Sequence, residues 1–272
     1  MRASRIRACS RFAFRASIFA TTFNHRPMKL HNLLRNLCIS LVLPLTVSAH
    51  AVEAPPNDSA QWDNTFSLVA RDPATGAVGG AVSTARLAVG NRVLQVEFGV
   101  GAVASQANTN PMLARDALER MRRAGTAKEA LDAALQADEK RDERQLSVIS
   151  ATGTQAAFTG TKPDDFKGHI IGKDVVVAGN ILVGRETLEA MVAAFETTPG
   201  PLADRIMASL EAGQKAGGDR RGKISAAILV LNEAPGTSGY ARNIDLRVDV
   251  SKDPVGELRV LFDAYKAAFR IK

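Results

Sequence analysis

The stretch Thr65–Thr84, TFSLVARDPATGAVGGAVST, decides the fold. Its first six residues alternate Phe66, Leu68 and Ala70 with Thr65, Ser67 and Val69. That two-residue period places successive side chains on opposite faces of a strand. Asp72-Pro73-Ala74-Thr75-Gly76 is rich in turn formers and reverses the chain. Val78 to Thr84 then returns as the second strand of a hairpin, so the sheet begins antiparallel.

Working outward, Arg92 to Phe98 and Gly101 to Gln106 read as two more strands separated by Gly99-Val100. Pro111 to Ala124 opens with proline in its first turn, carries Leu113, Ala117, Leu118 and Met121 on one face, and stops at Gly125. Thr126 caps a second helix over Ala127 to Ala137. Leu146 to Ser150 and Gln155 to Thr159 form a hairpin across Thr152-Gly153, and Val175 to Ala178 is a short buried strand. Two helices follow, Gly184 to Thr197 and Leu202 to Ala216, joined by Thr198-Pro199-Gly200-Pro201. Ile224 to Leu231 and Ile244 to Val250 are strands, and Pro254 to Phe269 is the closing helix. The strands come mostly as hairpins and the helices in pairs. This predicts an α+β fold, a layered sandwich of largely antiparallel sheets rather than a doubly wound parallel one.

Upstream of Thr65 the composition changes. Residues 1–51 hold eight basic and no acidic residues. Removing those eight from the 35 basic residues of the chain leaves 27 against 28 acidic ones, so the net charge of +7 belongs to the leader. The rest of the chain offers no electrostatic case for a nucleic-acid partner. From Met28 the leader reads MKLHNLLRNLCISLVLPLTVSAHA. Lys29 and Arg35 form a positive start, Cys38 to Val47 an apolar stretch, and Ala49-His50-Ala51 a small-x-small cleavage site. This predicts a signal peptide over 28–51, periplasmic or secreted localisation, and no membrane span after cleavage. Residues 1–27 are expected to be a gene-model extension ahead of a start at Met28. An Arg-rich, acid-free presequence is the alternative. Residues 52–64 read as a linker, leaving 65–272 as one domain.

Both cysteines, Cys9 and Cys38, and three of the four histidines lie in the leader, leaving His169 alone in the domain. The domain therefore excludes cysteine nucleophiles, disulfides and multi-histidine metal sites, and no metal or cofactor is expected. A Ser-His-Asp triad would have to use His169, against which stands an ordinary surface or strand-end histidine.

Four places could carry chemistry. Thr65 opens the first strand. A threonine at a chain start can be a nucleophile with its own α-amine as base, needing no histidine; threonine is also simply a good strand residue. Gly217-Gly218-Asp219-Arg220-Arg221-Gly222 combines backbone freedom with groups that hold a carboxylate or phosphate, or is a charged connection; Lys223 and Ser225 lie just beyond. The polar run from Ser105 to Pro111 contains Gln106, which could bond a substrate amide or serve helix capping. Asn180, in Ala178-Gly179-Asn180-Ile181-Leu182, is an oxyanion donor or a turn residue.

In this order the motifs resemble a bacterial domain-of-unknown-function family, family ten twenty-eight. The matching pieces include Thr65 to Pro73 with Thr75-Gly76, Leu87 to Gly90, Gly99 to Ala107 with Asn110-Pro111, Ala157 to Gly160, Gly179 to Leu182, Gly217 to Gly222 and Asp245 to Asp249. The resemblance implies a four-layer αββα sandwich of the N-terminal-nucleophile (Ntn) hydrolase kind, with Thr65 as nucleophile. It departs at Thr84-Ala85, where the family commonly carries a Ser-Lys pair. It departs again in residues 52–64, which must be removed before Thr65 can use its amine.

Together these readings predict an exported amide hydrolase acting on a small-molecule or peptide-like substrate. Thr65 serves as nucleophile and base, Asn180 and Gln106 as oxyanion donors, and Asp219, Arg220, Arg221 and Thr84 as substrate-binding residues. A catalytically inactive binding or scaffold protein of the cell envelope is the competing reading, and a homo-oligomer stays open. A third reading places a partner on the closing helix, along Arg259, Lys266 and Arg270, against an ordinary solvated face.

Overall fold

Asp72 closes the first hairpin with both ends of its residue. In the computed structural model, which describes residues 65–123, 125–163, 166–233 and 243–271, its carboxylate accepts from the Ala74 N–H (2.9 Å) and the Thr75 hydroxyl (2.7 Å). Its carbonyl accepts from Gly76 N–H (2.9 Å), and Gly76 takes the left-handed φ of 77° that this reversal requires. The hairpin joins β1 (Thr65–Arg71) to β2 (Val78–Thr84) in the register Thr65 opposite Thr84, Arg71 opposite Val78. The expected extension 1–27, signal peptide 28–51 and linker 52–64 lie outside the described residues.

The remaining strands are β3 (Leu94–Glu97), β4 (Gly101–Ala107), β5 (Arg144–Ser150), β6 (Gln155–Thr159), β7 (Phe166–Gly172), β8 (Val175–Leu182), β9 (Ser225–Leu231) and β10 (Ile244–Val248). The helices are α1 (Pro111–Arg122), α2 (Ala127–Gln136), α3 (Glu186–Thr197), α4 (Leu202–Lys215) and α5 (Pro254–Phe269). Two antiparallel sheets result, β10-β9-β2-β1-β8-β7 and β3-β4-β5-β6. The protein is a mixed α+β fold with five helices among the described residues.

Two elements differ from expectation. β7 was not expected. It is the edge of the six-stranded sheet, its residues are only partly buried, and a register shift falls between Phe166 and Gly168. A half-solvated, irregular edge carries little alternation. β8 runs four residues beyond the expected Ala178, because Gly179 pairs with Phe66 and Gly168 and Leu182 pairs with Phe166. Asn180 is therefore a strand residue, not a turn residue.

The two-residue period sorts the core into three apolar clusters. Phe66, Leu68 and Ala70 of β1 point toward α3 and α4, packing with Met191, Phe195, Ile206 and Leu210, and the cluster extends to Leu258 and Phe262 of α5. Val103, Leu146 and Val148 of the four-stranded sheet pack with Leu113 and Leu118 of α1 and Leu131 and Leu135 of α2. Val69, Val82, Val176 and Ala227 of the larger sheet meet Leu94, Ala102, Ala104 and Ile149 of the smaller. Strands buried on both faces read as nearly continuous apolar runs, as β9 and the start of β8 do.

Two of the three cations named for a partner on α5, Arg259 and Lys266, are used internally, while Arg270 is exposed. Arg259 is bidentate on Glu211 of α4 (2.7 Å for both bonds), and Lys266 reaches Asp204 (2.6 Å). They fasten α5 to α4. No described helix is long and apolar enough to cross a membrane.

Candidate functional site

The face that each sheet turns toward the other changes character at one end. In the body of the fold it carries Val69, Val82, Val176 and Ala227 from the larger sheet, and Ala104 and Ile149 from the smaller. Following each strand two or four residues toward one end, on the same face, gives Ser67 and Thr65, Thr84, Asn180, Ser225, Gln106, and Ser147 and Gln145. All eight of these residues are buried. Burying this many polar groups is tolerated only where they bond one another.

Ser67, Gln106, Gln145 and Asn180 do so through a chain of amides, the Ser225 hydroxyl donates instead to Arg86 O (2.6 Å), and the Ser147 hydroxyl is buried without a hydrogen-bond partner among the described residues. The Ser67 hydroxyl donates to Gln106 Oε1 (2.6 Å), and Gln106 Nε2 donates to Gln145 Oε1 (2.7 Å). Asn180 Nδ2 donates to the same oxygen (2.9 Å). Gln145 Nε2 faces three acceptors, the carbonyls of Gly179 (2.9 Å) and Gly168 (3.0 Å) and the Thr159 hydroxyl (2.9 Å). Two donors on its oxygen side and three acceptors on its nitrogen side fix the orientation of the amide. Thr159 in turn lies 2.9 Å from His169 Nδ1. His169 belongs to this outer end of the chain, separated from Thr65 by Gln145. The residue is exposed at the edge strand, and partial desolvation of its ring pushes its pKa below the ordinary histidine value.

Thr65 stands between two of these strands. It lies opposite Thr84 on β2, and Thr84 lies opposite Ser225 on β9. On its other side Phe66 pairs with Gly179, so the register carried one step further sets Asn180 beside Thr65. The Thr65 carbonyl is 3.5 Å from Gln106 Nε2. In the intact chain the Thr65 nitrogen is a peptide amide.

The loop from Gly217 to Gly222 straps β8 to β2, the strands on either side of Thr65. On the β8 side, Arg220 N–H donates to Ile181 O (3.0 Å), Val183 N–H donates to Gly218 O (3.1 Å), and Leu182 bridges Asp219. On the β2 side, Asp219 Oδ2 accepts from Ala85 N–H (3.1 Å), and Ile224 N–H donates to Thr84 O (2.8 Å). Gly218 sits at φ 59°, with the Phe66 ring 2.9 Å from where a Cβ would stand, so no side chain fits. Arg221 is bidentate on Asp219 (2.8 and 3.2 Å). The Asp219 carboxylate, expected to bind substrate, bonds a strand end and its own loop. Arg220 is exposed.

Two residues beside the amides are in the left-handed region without being glycine: Ala107 (φ 69°), next to Gln106, and Ile181 (φ 50°), next to Asn180. For a β-branched residue this is a strained conformation. Such strain, about 1–3 kcal/mol each, persists only where the surroundings over-determine it. Arg220 and Asp219 supply that restraint at Ile181.

The structure thus brings together Thr65, Thr84, Gln106 and Asn180, with Asp219 and Arg221 as the strap behind them. The reading from sequence missed Gln145, the hub. Its only signal was a polar residue beside Arg144 at the start of the strand RQLSVIS, a pair that resembles a strand boundary. Elsewhere in the polar run, Asn110 Oδ1 caps α1 through Met112 N–H (3.1 Å) and Ser105 bonds Asn110 O (3.0 Å), so that part is capping. Among the described residues no group of His, Cys, Asp and Glu could hold a metal.

The model of a family of unknown function, DUF1028, matches residues 65–258. Among solved structures, the crystal structure of protein SPO2555 from Silicibacter pomeroyi, of the same family, is similar at 34% identity. The likeness covers 75% of this chain and 86% of that one, with a TM-score of 0.68. No curated protein matches the chain. On the extent of the family match and this likeness, the chain belongs to DUF1028, the family of unknown function.

Proposed function

We propose that the chain is an exported amide-bond hydrolase of the N-terminal-nucleophile type, its layers stacked as a four-layer αββα sandwich. The observation that carries the reading is the place of Thr65. It is the first residue of β1 and the first residue of the family match, and it lies at the polar end of the space between the sheets. The three apolar clusters, helix against sheet, sheet against sheet and sheet against helix, support the layering.

In this mechanism, removal of the residues before Thr65 converts its amide to an α-amine. The amine takes the proton of the Thr65 hydroxyl as Oγ attacks the substrate carbonyl. Asn180 and Gln106 stabilise the oxyanion. The amine then passes its proton to the leaving nitrogen, the C–N bond breaks, and an ester remains on Oγ. Water hydrolyses the ester, releasing the acid and restoring the hydroxyl. Export, to the periplasm or outside the cell, rests on the pattern of residues 28–51.

The test is mass spectrometry of the protein purified from its full coding sequence, with and without a β-lactone. Oγ attack on the lactone carbonyl opens the ring and adds the whole lactone mass. The expected product begins at Thr65 and carries one lactone on that residue, and Thr65→Ala carries none. A protein that begins upstream and stays unmodified refutes the reading.

A binding or scaffold protein on the same fold is the second reading. It is favoured by Ala85, which stands where the family commonly has lysine, and by the internal neutralisation of Asp219 by Arg221. It predicts that Thr65→Ala leaves ligand binding intact.

A further inference from the structure

We infer that Gln145 is the positioning residue of this site, holding Asn180 and Gln106 through one shared oxygen; the inference rests on the hydrolase reading. A donor that stabilises a developing charge must be fixed in advance, because any reorganisation during reaction is lost catalysis. Neither candidate donor is fixed by its own strand alone. Gln106 comes from β4 of the smaller sheet and Asn180 from β8 of the larger. Gln145 Oε1 accepts from both, at 2.7 and 2.9 Å, and so sets the distance between two sheets at the end where Thr65 lies.

Gln145 can do this because its own amide is locked. Its nitrogen is shared among Gly179 O, Gly168 O and Thr159 Oγ1, all within 3.0 Å, which forbids the flipped orientation. Gly179 is the residue before Asn180, so the hub grips the same strand by backbone and by side chain. Asn180 Nδ2 and Gln106 Nε2 both point at Gln145, which fixes the plane of each amide, and Gln106 Nε2 also faces the Thr65 carbonyl at 3.5 Å.

Two substitutions separate positioning from support. Gln145→Glu keeps an oxygen that accepts from Gln106 and Asn180 and loses the donors to Gly179, Gly168 and Thr159. Gln145→Met keeps the volume and loses the shared acceptor. Both lose stability, and the Glu variant loses at least as much because it buries a carboxylate against carbonyls. The readout is the rate and half-saturating concentration of β-lactone addition to Thr65 on the protein produced from its full coding sequence, beside the thermal midpoint of each variant.

Positioning predicts that the Met variant adds lactone about tenfold or more slowly at saturation, with half-saturation little changed. The Glu variant should stay within about threefold of the parent despite its lower midpoint. Rates that fall in parallel with midpoints, or a Met variant as fast as the parent, overturn the assignment while leaving the hydrolase reading intact. A parent protein that takes up no lactone at Thr65 overturns both. Should the Met variant not fold, the Glu variant decides alone: retained addition sustains the assignment, and a loss of about tenfold overturns it.

Discussion

The backbone N–H of Ala85 donates to the carboxylate of Asp219, 3.1 Å away across 134 residues of sequence. Through this bond the end of β2 is tied to a loop whose other side is hydrogen-bonded to the end of β8. Thr65 lies on β1, between the two. Asp219 is only 4% exposed and serves three donors at once, the Ala85 N–H, the Arg221 N–H and the Arg221 guanidinium.

Asp219→Ala removes the acceptor for all three. Losing a buried carboxylate that holds charged and neutral donors costs about 3 kcal/mol. The urea midpoint should fall with the slope unchanged, since the surface exposed on unfolding is the same. Asp219→Asn keeps one acceptor oxygen and should fall between the variant and the parent. If Asp219→Ala unfolds with the parent, the strap does not hold the strand ends.

A second buried pair lies just before the hub. Asp138 accepts from Arg144 Nε at 2.6 Å, both side chains under one-tenth exposed, and Arg144 also donates to Asn108 O. The hydrogen bond from Arg144, ahead of the cost of burial, holds the Asp138 carboxyl below its ordinary range. A depressed carboxyl stabilises the fold above its unfolded value of about 4, and that contribution is lost as pH falls through the folded value. Arg144→Met should therefore be less stable at neutral pH by about 3 kcal/mol. The gap between variant and parent should narrow as pH falls below about 4 and close only below the lowered folded value, where Asp138 is protonated in both. Parallel stability curves down to about pH 2 would show that the pair is not responsible.

Thr65, Thr84, Asn180, Gln106 and Asp219 could be named from sequence because each ends a strand or sits in a glycine-rich connection, positions where polar residues have few local duties. Their convergence could not be. It depends on the register of β1 against β8 and on which face of β4 meets which face of β8, and both are set by pairings over 34 or more residues. Gln145 was invisible for the same reason: within β5 it is one of four polar residues, and only the facing sheet turns it into a hub. The strand periods were legible where strands are buried, as in β1, β2 and β9, and failed at the half-solvated edge β7. The bonds of Asp219 to the Ala85 N–H and to Arg221 are likewise set in three dimensions, Ala85 lying 134 residues away in sequence.

His169 gives a probe of the outer end of the amide chain. Partial desolvation of its ring lowers its pKa, so the folded protein resists a proton that the unfolded chain accepts. Stability is full above the unfolded value of about 6.5 and declines as pH falls from there toward the lowered folded value. His169→Asn should remove this part of the pH dependence. The measurement is the urea midpoint of parent and variant between about pH 7.5 and 5, with the imidazole resonance of His169 followed by NMR. A resonance that titrates at or above about 6.5 contradicts the shift and its consequence.

Ala107→Gly separates the two consequences of backbone strain. Ala107 is fully buried at φ 69°, directly after Gln106. A left-handed backbone costs an L-residue about 1–2 kcal/mol, and glycine removes that cost. Against this stand the loss of a buried methyl, about 0.8 kcal/mol, and the greater unfolded freedom of glycine, about 0.5–1 kcal/mol. The opposing effects leave stability within about 1 kcal/mol of the parent. The rate of β-lactone addition to Thr65 carries no such compensation. If the strained turn at Ala107 fixes the approach of Gln106 to the Thr65 carbonyl, glycine loosens it, and addition should slow by about threefold to tenfold at unchanged stability. A variant that keeps the parent's rate shows that the conformation at Ala107 serves the path of the chain into α1 and not the geometry at Thr65.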